Sequence, residues 1–152
     1  MNHKVSSATL GLLILLASAF SATAQDEPPG GIKLLPGYQH RREQGIDTLV
    51  GKIWKDGGQT ITYDIGCLAG HYADRKHMKD FSWYKEVTIE GHEFRIARFK
   101  TGGFMSGILV VTIPGASANF FAPAKTEEEV ADALLMLTTY RGKIDCEKFL
   151  SN

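Results

Sequence analysis

A chain of 152 residues with 17 Lys+Arg against 17 Asp+Glu has no large single-sign field. That balance disfavours nucleic-acid binding, which usually draws on a basic excess to neutralise phosphates. With an N-terminal signal set aside, about 128 residues remain, enough for one domain that buries roughly two-thirds of its unfolded surface and too few for two cores.

Met1 to Gln25 reads as a secretory signal. Lys4 is its basic start, Leu10 to Ala17 is an apolar run too short to span a bilayer, and Ala22-Thr23-Ala24 supplies a small-x-small cleavage site. The predicted organisation is a signal peptide over 1–24, a flexible leader over 25–33 and a single α+β domain over 34–152. No cysteine near the site suggests a lipid anchor, and no second long apolar run follows. A soluble chain, secreted or periplasmic and without stable membrane insertion, is therefore expected.

Gln25 to Gly31 carries Asp, Glu, Pro-Pro and Gly-Gly, a composition that cannot build a core, so order is expected from Ile32 or Leu34. Tyr38 to Glu43 is polar with little apolar alternation; a strand there would lie at a sheet edge. Thr48 to Trp54 and Gln59 to Ile65 flank Lys55-Asp56-Gly57-Gly58, whose Asp-Gly marks a hairpin. Ile61, Tyr63 and Ile65 alternate with Thr60, Thr62 and Asp64, the period of a half-buried antiparallel strand. Gly66 to Asp80 breaks the pattern with a long connection rich in His, Lys, Arg and Asp, with room for a short helix around Leu68 to Tyr72; connections of this length are often functional.

Phe81 to Ile89 and His92 to Phe99 form a second hairpin across Glu90-Gly91. Thr101-Gly102-Gly103 turns the chain, and Phe104 to Ile113 is apolar on both faces, as a strand in the middle of a sheet would be. Pro114-Gly115 ends it, and Asn119 to Ala122 can add a short strand. Thr126 to Arg141 is the clearest helix. Thr126 and Glu129 form a capping box, Glu127 to Glu129 sit where the helix dipole is positive, and Val130, Ala133, Leu134, Leu137 and Arg141 share one face before Gly142. The predicted fold is α+β: an antiparallel sheet of hairpins, five to seven strands in all, with the C-terminal helix packed on one face.

Two cysteines, Cys67 and Cys146, permit one intramolecular disulfide, worth about 4 kcal/mol by chain entropy. Two buried thiols or an intermolecular bridge are the alternatives. Gly37-Tyr38, Gln44 to Ile53, Ile61 to Gly66 and the capped C-terminal helix together resemble a group of small exported bacterial proteins of unknown function. The layout is also similar to the Mog1/PsbP type of α/β domain. That resemblance implies a non-catalytic binding or accessory role and a flanking helix, and it carries no catalytic residues with it.

Few side chains suggest chemistry. His71, Asp74 and His77 combine imidazole with carboxylate, the donor set of a zinc-like ion, although H-x-x-D-x-x-H matches no defined motif; the alternative is a solvated basic loop with Arg75, Lys76 and Lys79. Asp47 and Asp64, at opposite ends of one hairpin, could share an ion or a proton, or simply serve as turn and strand-end residues. Ser117 lacks the strand-turn-helix setting and the final glycine of a nucleophile elbow. Gly57-Gly58 and Gly102-Gly103 open no helix that would bind phosphate, and no cofactor is expected. Tyr38, Trp54, Trp83, Tyr84, Phe120 and Phe121 are packing residues unless several prove exposed together. The expectation is an exported binding or accessory module without catalysis, with an unknown protein or small-molecule partner. The alternative is a small metal-dependent or acid–base hydrolase using His71, Asp74 and His77 or the Asp47/Asp64 pair.

Overall fold

Turn chemistry sets the strands. The computed structural model describes residues 26–103, 105–144 and 146; the signal-peptide reading falls outside them. β1 (Tyr38–Glu43), β2 (Leu49–Lys55) and β3 (Thr60–Ile65) form a meander whose second turn closes with Gly58 N–H donating to the Lys55 carbonyl at 2.9 Å. β4 (Phe81–Ile89) and β5 (His92–Phe99) pair up to Ile89 opposite His92, leaving Glu90 (φ 50°) and Gly91 (φ 80°) as a two-residue turn. Two successive left-handed residues match the twist of the flanking strands, and glycine takes the second without steric cost. β6 (Leu109–Ile113) and β7 (Ala118–Ala122) complete a second meander.

The meanders join through β3 and β7, giving one seven-stranded sheet in the order β1-β2-β3-β7-β6-β5-β4 with every neighbouring pair antiparallel. The Gly66–Asp80 connection thus carries the chain from mid-sheet to the far edge. β6, expected to be central because it is apolar on both sides, is buried at all five positions. It begins at Leu109 rather than Phe104, because Ser106 N–H bonds the Gly103 carbonyl and Ile108 N–H the Met105 carbonyl, folding the preceding residues into a turn.

Strand alternation sorts the interior into two clusters. Ile53, Ile61, Tyr63, Ile65, Phe94, Ile96, Leu109, Val111, Ile113 and Phe120 belong to the larger, together with Ala133, Met136 and Leu137 of the helix α1 (Glu127–Leu137) and Tyr140 beyond it. The smaller contains Ala73, Phe81, Ala97 and Val110. α1 starts as expected: Glu129 N–H donates to Thr126 Oγ1 at 3.2 Å and Thr126 N–H to Glu129 Oε2 at 3.3 Å. It ends a turn early. The Thr138 and Thr139 hydroxyls donate back to the Leu134 and Met136 carbonyls, offering the backbone an alternative to another helical turn. Arg141 therefore leaves the helical face and pairs with Glu90 Oε2 at 2.6 Å. Met136, absent from the predicted stripe, is fully buried.

Two further expectations change. The leader is docked: Pro29 and Ile32 are buried, Arg141 N–H donates to the Gly30 carbonyl at 2.8 Å, and Gly30 lies so close to the Tyr140 ring that a Cβ would overlap it. Contacts with the domain thus begin upstream of Ile32. The short helix placed at Leu68 to Tyr72 is instead a 3₁₀ segment over Arg75–Asp80, because Asp74 caps that point by accepting from Lys76 N–H at 3.0 Å. Among the described residues no helix is long and apolar enough to cross a membrane.

Candidate functional site

The Gly66–Asp80 connection is held at both ends and in the middle. Cys67 is joined to Cys146 by a disulfide with Cα atoms 5.2 Å apart, and Gly66 N–H donates to the Ser117 carbonyl at 3.0 Å. In the middle, Ala73 N–H donates to Thr112 Oγ1 at 3.0 Å, the Thr112 hydroxyl donates to Asn119 Oδ1 at 2.8 Å, and Asn119 Nδ2 donates to the Gly70 carbonyl at 2.6 Å. Thr112 and Asn119 are fully buried partners across β6 and β7, so the chain of bonds replaces the water that their polar atoms lose. Tyr72 stands edge-on to Phe121 with ring centroids 5.0 Å apart. At the far end Lys100 N–H donates to the Asp80 carbonyl at 2.9 Å.

Thr112→Val keeps the shape but leaves Ala73 N–H without its acceptor, an orphan worth about 1–3 kcal/mol when buried. Urea unfolding should show that loss, and native-state hydrogen exchange at Ala73 should accelerate more than exchange in β2 or β3.

This pinned connection leaves a hollow of about 330 Å³ lined by His71, Tyr72, Lys76, His77, Phe99 and Met105. A second hollow of about 460 Å³ shares Phe99 and Met105 and is bordered by Lys79, Asp80 and Lys100. Both volumes fall in the range of small-molecule sites. The floor is apolar and the rim cationic. The single acid among these lining residues, Asp80, lies 3.9 Å from His77 Nδ1. Lys100 Nζ is steered by the Lys79 carbonyl at 2.6 Å. Among the described residues six large hydrophobic side chains stay exposed, and three of them, Leu68 (59%), Tyr72 (39%) and Met78 (50%), belong to this one connection. Exposed apolar side chains gathered on one segment mark an interaction surface more often than scattered ones do.

The predicted metal trio is divided. His71 and His77 line the same hollow, whereas Asp74 caps the 3₁₀ segment and pairs with Arg95 at 3.5 Å beside another. Among the described residues no three His, Cys, Asp or Glu side chains stand together as metal ligands. Asp47 is exposed in the bend before β2, and Asp64 has one carboxylate oxygen buried without a partner among the described residues. Ser117, at φ 44°, turns the chain into β7 and places its hydroxyl 3.6 Å from Cys146 Sγ. The aromatics are separated: Tyr38 and Phe120 are buried, while Trp54 is half-buried beneath Lys52. Buried His40 donates from Nδ1 to the Asp26 carbonyl at 2.8 Å, and its Nε2 is hydrogen-bonded to the Tyr63 hydroxyl at 2.9 Å. That pair closes on itself in the interior.

A third hollow, of about 550 Å³, is lined mostly by charged side chains that pair with one another. Arg75 Nε donates to Glu86 Oε1 at 2.9 Å, Tyr84 donates to the same carboxylate, and Arg95 pairs with Glu93 at 2.6 Å. The Arg75 guanidinium, then the Tyr84 hydroxyl, hold Glu86 down at about 2, and burial followed by Glu86 pushes Tyr84 up to about 12. A carboxylate with a depressed folded-state pKa contributes stability above its ordinary 4.5 and loses it as pH falls toward about 2. The melting temperature should therefore fall across that window, and Glu86→Gln should flatten the fall; an unchanged slope in the variant would contradict the assignment.

Lys100, Phe99 and Met105 reach the site from the end of β5 and the turn after it. Phe99 and Lys100 arrive through the β4–β5 hairpin, which sets Phe99 opposite Phe81 at the end of the connection, and Met105 depends on the turn after β5, which no pattern near Gly66–Asp80 signals. Comparison with protein families, curated proteins and solved structures finds no match for this chain.

Proposed function

We propose that the chain is an exported, non-catalytic binding module whose binding face is the Gly66–Asp80 connection with the adjoining end of β5. α1 closes one face of the sheet, and the connection lies over the other and is the part offered to a partner. The observation that carries this reading is that Leu68, Tyr72 and Met78 are all exposed on the one connection whose Tyr72, Lys76 and His77 line the cation-rimmed hollow. Three supports stand beside it: the signal-like start, the disulfide, which suits an oxidising compartment, and the lack of an assignable nucleophile–base pair among the described residues. A non-catalytic role is also what the similarity to Mog1/PsbP-type domains implies. His71 and His77 serve here as part of the binding rim.

Native, non-reduced mass spectrometry of the protein taken from the exported fraction of its producing cells tests the reading. An organic guest or a protein partner retained on the disulfide-linked chain is expected. A chelator-sensitive metal adduct, or ester or phosphoester turnover abolished in His71→Ala/His77→Ala, would establish the hydrolase instead.

A further inference from the structure

We propose that the hollow beneath the connection is a site for a small anionic amphiphile, a carboxylate carried on a single aliphatic or aromatic body. The inference rests on the binding role above and specifies its ligand. The apolar part is set by Phe99, Met105 and Tyr72, which line the hollow. The charged part is set by Lys76, with the His71 and His77 imidazoles as hydrogen-bonding groups on the same rim and Lys79 and Lys100 bordering the adjoining hollow that shares Phe99 and Met105.

Charge complementarity decides the sign. Among the described residues Lys76, Lys79 and Lys100 appear in no ion pair, whereas the neighbouring arginines Arg75 and Arg95 are committed to Glu86, Asp74 and Glu93. A cationic guest would meet these amines with only Asp80 to offset them. A fully polar anion would leave Phe99 and Met105 wet. A carboxylate on an apolar body satisfies both halves, and a hollow of about 330 Å³ accommodates one chain or ring, not a folded segment. The rim is pinned by the Thr112–Asn119 bonds and the disulfide, so little ordering is required on binding.

The test is a titration of the isotope-labelled exported chain with octanoate, followed through backbone amide shifts. Octan-1-ol, octyltrimethylammonium, inorganic phosphate and phosphatidylglycerol vesicles serve as separate probes. Octanoate should shift His71, Tyr72, Lys76, His77 and Met105, and should bind on the order of tenfold more tightly than octan-1-ol; phosphate alone and the cationic probe should leave these signals in place. Lys76→Gln should weaken octanoate about fivefold, the worth of one exposed ion pair. Lys125→Gln, which replaces an exposed lysine outside the hollow, should not. Equal binding of octan-1-ol, binding of the cation, shifts centred on Arg41, Lys52 and Trp54, or association with vesicles in place of octanoate would each overturn the proposal. If octanoate fails while a different guest or a protein partner is retained in the native mass, the ligand class falls and the binding role stands. If both experiments fail, both readings fall.

Discussion

Replacing both Cys67 and Cys146 by alanine is expected to lower the unfolding free energy by about 4 kcal/mol, read as a shift of the urea midpoint. The bridge spans 79 residues of sequence, so it removes from the unfolded ensemble every conformation in which that long segment is open. Its position has a second consequence. Cys67 stands two residues after β3, where the connection leaves the sheet, and Cys146 lies beyond α1. Reduction should therefore loosen the start of Gly66–Asp80 as well as destabilise the whole. Hydrogen exchange in the variant should rise at Leu68 and Ala69 before it rises in β6. Uniform acceleration throughout the sheet would assign the bridge a purely global role.

Phe120→Ala should cost about as much, roughly 4 kcal/mol, by a different mechanism. Phe120 is fully buried in the middle of β7, with its ring centroid 6.1 Å from Tyr63 and 5.5 Å from Tyr140. Truncation removes apolar area and leaves a cavity between the sheet and the residues after α1, which strand pairing prevents from collapsing. The neighbouring Phe121→Ala is the informative control. Phe121 projects to the opposite face, is half-buried and touches Tyr72. It should lose less stability but disturb the candidate site, so urea unfolding and octanoate affinity should rank the two variants in opposite orders.

The parts of this fold readable in advance are those fixed by neighbours in sequence. Asp56-Gly57 and Glu90-Gly91 marked two turns because the backbone there needs left-handed residues, and the Thr126–Glu129 capping box lies within one turn of chain. Two-sided apolarity placed β6 in the sheet interior for the same local reason. What was misread depends on partners far away or on competition between bonds. The end of α1 is decided by the Thr138 and Thr139 hydroxyls, which compete with the helix for its own carbonyls. The docking of Pro29 and Ile32 depends on Tyr140 and Arg141, more than a hundred positions later.

The candidate site divides in the same way. The long polar connection is legible as a break in periodicity, and its His71 and His77 share one hollow. Asp74 reads in the sequence as an oxygen ligand beside the two histidines; the structure uses it instead as the cap of Arg75–Asp80, with Arg95 as partner. Thr112 and Asn119, which fix the connection, look like ordinary strand residues. Only the pairing of β6 with β7 beneath Gly70 and Ala73 gives them that role.

Hydrogen exchange offers the most direct test that Gly66–Asp80 is the working face. The protein would be compared in concentrated exported fraction from its producing cells and in buffer alone. Protection gained over Gly66–Asp80 and at Phe99 to Gly107, and lost in Lys76→Glu, is the result this account predicts. Protection confined to Arg41, Lys52, Trp54 and Thr60 on β1 to β3, or no difference between the two media, would contradict it.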